Sequence, residues 1–189
     1  MDAAPIVRMT EAEYLALDLA NEGKHEFVNG EIIAMSGVSP DHDTVSINLI
    51  LALGTRLRGG PCRVRGPDLR VRLDETGLYA YPDLVVVCGK PEFADTRPET
   101  LLNPRVVVEV LSESTEQWDR GGKTAHYRHR ASVDTVVLVD SRRRMVELQT
   151  RNGDGTWTLS ERTEGELPLV ALGLVLPFDE IYEGVPSAA

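Results

Sequence analysis

The stretch NPRVVVEVLSES carries a glutamate, Glu109, in the middle of a β-branched run. A central strand made of such a run buries its side chains on both faces. An unpaired carboxylate is costly there, so Glu109 calls for a partner. In YPDLVVVCG a second acid interrupts an apolar segment: Asp83 follows Pro82 and opens the strand LVVV. If the two strands are neighbours, both carboxylates point into one space, and two hard oxygen donors suit Mg2+ or Mn2+. A salt bridge to arginine or a backbone cap accounts for either residue alone. The pair, in two consecutive hydrophobic strands, points to a metal.

Side chains two apart share a strand face, so Leu111 stands where a Glu-x-Lys arrangement would place its lysine. The next lysine is Lys123, behind Asp119 and Arg120, at the start of the helical segment KTAHYRHR. From a helix N-terminus packed over the sheet's end it reaches the same pocket, with Tyr127 one turn on and on the same face. Two histidines of that segment, His126 and His129, lack further ligands and read as surface residues rather than a zinc site.

The elements that must position these groups follow from local pattern. Thr10 and Glu13 have capping-box spacing, predicting a helix over 11–20. Asn29-Gly30 between alternating stretches predicts a two-residue hairpin pairing Val28 with Glu31 and Glu26 with Ile33. Ser39-Pro40 starts a long helix over about 40–58, which Gly59-Gly60 ends. Leu69, Val71 and Leu73 then alternate with Arg70 and Arg72, a strand with one buried face and one guanidinium face. YPDLVVVCG, RVVVEVLS and VDTVVLVD are central strands, separated by a helix over 122–130. MVELQTR and TWTLSER form a second hairpin around NGDG, and a strand or loop with a short helix closes the chain. Strands and helices in this order give one α/β (α+β) domain over residues 1–189, a sandwich with a mixed central sheet flanked by helices and a frayed tail at about 185–189.

The chain has 189 residues with a net charge of −10, 42% hydrophobic and 26% charged. This is an ordinary globular composition and leaves no room for a disordered, collagen-like or coiled-coil chain. No apolar run approaches the roughly 18 residues of a membrane helix, and no signal peptide opens the sequence. Cys62 and Cys88 alone make neither a disulfide scaffold nor a cysteine zinc site, and they suit a reducing cytoplasm. Walker-type glycine loops and G-x-S-x-G elbows are absent, which speaks against hydrolysis of small phosphates and against serine chemistry. The acidic total argues against a nucleic-acid ligand, but the charge is uneven. Residues 56–72 hold six arginines against Asp68, and residues 119–144 hold seven basic against three acidic side chains. Arg63, Arg65, Arg70, Arg72, Arg128 and Arg130 are therefore the candidate phosphate contacts, screened from the acidic ends beyond about 8 Å.

HEFVNGEIIAMSG, the histidine of SPDH, YPDLVVV and NPRVVVEVLSESTEQWDRGGKTAHY together resemble the Uma2 family of restriction-endonuclease-like proteins, within the PD-(D/E)xK nuclease superfamily. The likeness runs from about Thr10 to Tyr182, and its specific part is the EVLS to DR-x-x-K stretch. It implies a restriction-endonuclease-like fold, Asp83 and Glu109 as metal ligands and Lys123 as the catalytic lysine moved from the strand to the following helix. It also implies a further early acid, for which Glu26 is the candidate, followed by His42. The expected activity is Mg2+- or Mn2+-dependent hydrolysis of DNA phosphodiesters by a cytoplasmic homodimer, with no organic cofactor. The other reading is a nuclease-like fold kept as a binding or regulatory module without turnover.

Overall fold

A computed structural model describes residues 8–20, 24–35, 37, 39–73, 76–94 and 100–186. The end of the expected tail, residues 187–189, lies outside them. The first helix, α1 (Glu11–Ala20), begins where the capping box places it: Glu13 N donates to Thr10 Oγ1 at 3.2 Å and Thr10 N to Glu13 Oε2 at 2.7 Å. The hairpin of β1 (His25–Val28) and β2 (Glu31–Ala34) has the predicted register, with Glu26 opposite Ile33. Its turn residues Asn29 and Gly30 both have positive φ, as a two-residue turn of this kind requires. In α2 (Pro40–Arg56), Ser39 Oγ accepts from His42 N at 3.2 Å and proline occupies the first turn.

Two six-stranded sheets follow, where one central sheet was expected. In the first, β1 and β2 join β4 (Arg70–Leu73), β5 (Leu78–Ala80), β7 (Phe93–Ala94) and β8 (Thr100–Leu101) in the order β2-β1-β5-β4-β8-β7. The second has the order β12-β11-β10-β9-β6-β3. It contains β3 (Cys62–Arg65), β6 (Leu84–Cys88), β9 (Val106–Leu111), β10 (Thr135–Asp140), β11 (Met145–Arg151) and β12 (Trp157–Arg162). It is mixed, since β9 and β10 run parallel and its other pairs antiparallel.

Alternation sends the two faces of the second sheet into different cores. Val106, Val108 and Val110 of β9 pack with Val45, Leu49 and Leu53 of α2, with the closing hairpin of β13 (Glu166–Leu169) and β14 (Leu174–Pro177), and with α5 (Phe178–Ile181). Val107 and Leu111 face Val71, Leu73, Leu78 and Leu101 of the first sheet. The first sheet's outer face is closed by Tyr14 of α1 against Phe27 and Tyr79. No helix among the described residues is long and apolar enough to cross a membrane.

This second layer overturns the guanidinium face expected of β4. Arg70 is fully buried under α1: its Nη1 lies 2.6 Å from Asp18 Oδ2, and its Nε donates to Thr100 Oγ1 at 3.0 Å. A buried guanidinium of this kind holds layers together and does not reach phosphate. Arg70→Ala leaves Asp18 buried without its cation and is expected to cost about 3–5 kcal/mol. Urea unfolding measures it, and a loss under about 1 kcal/mol, the range of exposed pairs, would rule the role out.

The cysteines are a second correction. Strand pairing sets Cys62 of β3 opposite Cys88 of β6, and the two form a disulfide with Cα atoms 3.9 Å apart. They therefore do not argue for a reducing compartment. Closing a loop of 26 residues stabilises by about 3.5 kcal/mol in the chain-entropy account, and it staples the edge strand β3 to the sheet.

Candidate active site

Glu109 stands in the middle of β9, which β6 and β10 flank on either side. Antiparallel pairing of Leu84 with Val108 continues to bring Asp83 opposite Glu109, so the two acids meet where β6 begins. Asp83 is held there by its own backbone neighbour: Oδ2 accepts from Val110 N at 2.7 Å. Its Oδ1 lies 3.3 Å from His42 Nε2, which the first turn of α2 carries to this end of the sheet. Asp83 thus does cap backbone, and it shares the cavity with Glu109 as well.

The other sheet supplies Glu26. From β1 it reaches across the gap, and its Oε1 lies 2.7 Å from Lys123 Nζ. The Lys123 ammonium is also 3.0 Å from Glu109 Oε1 and 3.4 Å from Asp119 Oδ1, so three carboxylates share one cation. All four side chains are at most 5% exposed. Tyr127 Oη donates to Glu109 Oε1 at 2.6 Å, which concentrates the partners of Glu109 on one oxygen. Glu26, His42, Asp83, Glu109, Asp119 and Lys123 line a single cavity of about 70 Å³.

Charge balance explains the ionisation of this cluster. Burial raises the Glu109 pKa well above the usual glutamate range; Lys123 opposes the rise, while Asp119, Asp83 and Glu26 add to it. Burial also works against the Lys123 ammonium, but Glu109, Glu26 and Asp119 outweigh it and push its pKa above the ordinary lysine value. Asp119 is raised by burial, against the pull of Lys123. For His42 burial is the largest influence and lowers the pKa, but the hydrogen bond and charge of Asp83, with the Val110 backbone and Asp119, together outweigh it and the net shift is upward. Four carboxylates around one lysine leave the pocket short of positive charge.

The chain matches the Uma2 family, described as "Putative restriction endonuclease", over residues 11–179. It belongs to the Uma2 family. The matched span includes each of the cavity's acids, His42 and Lys123, and it agrees with the resemblance carried by the EVLS to DR-x-x-K stretch. Among similar proteins of Synechocystis sp. (strain ATCC 27184 / PCC 6803 / Kazusa), "Uncharacterized protein slr1290" is 35% identical over 97% of this chain and 96% of its own length. A second, "Uncharacterized protein sll1609", is 32% identical over 81% of this chain and 86% of its own. The crystal structure of a putative nuclease belonging to DUF820 from Anabaena variabilis ATCC 29413 superposes with a TM-score of 0.70 at 14% identity. It covers 89% of this chain and 97% of that one, so the Uma2 chain has the same fold.

Of the arginines, Arg63 and Arg65 project from the exposed positions of β3, and Arg65 pairs with Val85, two residues from Asp83. Arg72 is partly buried, 3.3 Å from Glu11, with its guanidinium over the Tyr79 ring. Arg128 leans on Gln149 at 3.4 Å, and Arg130 donates to the Leu102 carbonyl. Arg70 lies in the core, away from this group. Reading the sequence alone missed Asp119 and Trp118 as site residues. The only available signal for Asp119 was its spacing of four from Lys123.

Proposed function

We propose that this chain is a Mg2+- or Mn2+-dependent endonuclease that hydrolyses phosphodiester bonds of DNA. The observation that carries the reading is the meeting of Asp83, Glu109, Glu26 and Lys123 in one cavity from a strand end, a strand centre, a second sheet and a helical turn. Membership of the Uma2 family supports it.

The donor set fits the metal. Among the described residues no three His, Cys, Asp or Glu side chains form a closed cage, and Mg2+ does not need one, since it binds through one or two carboxylates and keeps several waters. Asp83 and Glu109 would hold the ion, with the Glu109 oxygen that faces away from Tyr127 and Lys123 as the available donor. Bound there, it supplies Lewis acidity, stabilising charge on the phosphate and on the attacking and leaving oxygens. Tyr127 fixes the Glu109 carboxylate, and His42 orients Asp83 Oδ1. Lys123, cationic throughout the neutral range, cannot serve as a general base. It places a fixed positive charge beside the scissile phosphate, where negative charge grows in the transition state. Glu26 and Asp119 hold that ammonium in place. Cutting both strands calls for two such sites, hence a homodimer.

Supercoiled plasmid incubated at low salt tests the reading. Open-circular product is expected with Mg2+ or Mn2+ and not with excess chelator. DNA retardation on a gel without nicking under either ion would favour the binding-module alternative.

Flanking phosphates fall to Arg63 and Arg65 on the edge strand. The double change Arg63→Ala/Arg65→Ala is expected to weaken DNA binding several-fold and to lower the salt dependence of log K by about 2, roughly one per lost phosphate contact. A salt titration measures it, and an unchanged slope removes both residues from the interface.

A further inference from the structure

The turn that delivers Lys123 is not an α-helix. After a short α3 (Glu116–Trp118) the chain forms a π-helical turn over Asp119–Lys123, and only then the α-helix α4 (Thr124–His129). Trp118 and Lys123 are five residues apart. In an α-helix of 3.6 residues per turn that spacing separates side chains by about 140° around the axis. The wider π turn, closed by i→i+5 bonding, brings residues five apart back to nearly one side. Both side chains then meet one carboxylate: Trp118 Nε1 donates to Glu26 Oε2 at 2.9 Å, and Lys123 holds Glu26 Oε1 at 2.7 Å. Tyr81 N adds a longer bond to Oε1 at 3.3 Å.

Gly122 makes this possible. A Cβ there would lie 2.0 Å from Trp118 Cζ3 and 2.5 Å from Cε3, so the indole rests on bare backbone. Any side chain at 122 lifts the ring and with it the N–H. Glu26 comes from the other sheet, and Trp118, 92 residues further along the chain, clasps it from the second sheet's side.

We propose that Trp118 is a positioning residue: its indole N–H sets the rotation of the Glu26 carboxylate, so that Glu26 presents Oε1 to Lys123 and holds the ammonium at the cavity, with the π turn and Gly122 as the device that brings the ring there. Its catalytic consequence rests on the nuclease reading above; the contact itself does not.

Two measurements separate these. Trp157 is the other tryptophan of the chain. It lies on the outer strand β12 over Arg151, so in Trp157→Phe protein the emission reports Trp118 alone. That emission is expected to shift when Glu26→Gln removes the anionic acceptor, and to move toward that of exposed indole in Gly122→Ala. Emission indifferent to Glu26→Gln overturns the proposal, whatever the enzyme does. In nicking assays Trp118→Phe keeps the ring and loses the N–H. It is expected to lower kcat about tenfold, the scale of one hydrogen bond to a charged group, with KM for DNA little changed. Its effect should largely vanish in a Glu26→Gln background. Additive effects of the two changes would also overturn the proposal. A wild type without any nicking sinks the nuclease reading and leaves the emission test standing.

Discussion

On the endonuclease reading, Asp83→Ala protein is expected to nick plasmid only at background level in Mg2+ or Mn2+, a loss of about a thousandfold or more if the ion provides several kcal/mol of transition-state stabilisation. The change is expected to leave the fold standing. Asp83 is 19% exposed and sits beyond the last paired residue of β6, so its alanine variant gives up the hydrogen bond from Val110 N and the His42 contact. That costs about 1–3 kcal/mol, the price of leaving a partly buried donor unmet. Circular dichroism should therefore be unchanged while calorimetric titration with Mn2+ shows affinity falling together with activity. Nicking retained in a folded Asp83→Ala protein would move the metal away from this pair.

Lys123→Met has the largest expected effect on stability. Methionine keeps most of the volume and removes the one cation that Glu26, Glu109 and Asp119 share. Breaking a buried ion pair from one side costs about 3–5 kcal/mol. The loss should depend on pH with a definite sign. In the wild type the Lys123 pKa is raised, so its contribution is complete below the unfolded lysine value of about 10.4 and fades only as pH climbs through the folded value. Between pH 5 and 8 this group therefore contributes no slope. Without it, Glu109 and Asp119, already raised by burial, have no counter-charge, and an acid with a raised folded pKa stabilises at low pH and loses that stability as pH rises. The variant should lie nearer the wild type at pH 5 and fall away toward pH 8. Adding Glu109→Gln should restore part of the difference at pH 8. Urea unfolding at three pH values decides the point: a loss independent of pH would mean that packing, not charge, is what Lys123 provides.

The acids of the second sheet were legible because a charge in a β-branched run breaks the pattern of a buried strand, and Glu109 and Asp83 both do so. Glu26 could be placed opposite Ile33 because Asn29-Gly30 permits one register. Arg70 misled for a physical reason. Alternation assigns a side chain to a face but does not say whether a further layer covers it, and here Asp18, 52 residues away, makes the outward face an inner one. The disulfide was hidden likewise, since the pairing of Cys62 with Cys88 depends on the register of β3 against β6. Trp118 stayed unread because a segment such as EQWDRGGK fits an α-helical turn as well as a π turn, and only the π turn puts its ring on Glu26.

The division of the cavity between two sheets has a consequence for the life of the chain. Glu26 belongs to one sheet and Asp83 and Glu109 to the other, and the Lys123 ammonium bridges them only once the layer containing Val71, Leu101, Val107 and Leu111 has closed. Contacts between such distant stretches form late, since the chain must first lose the entropy of closing long loops. A chain whose two sheets have not packed together therefore carries no complete cluster. On the endonuclease reading, cutting is therefore expected only of chains in which the two sheets have packed together.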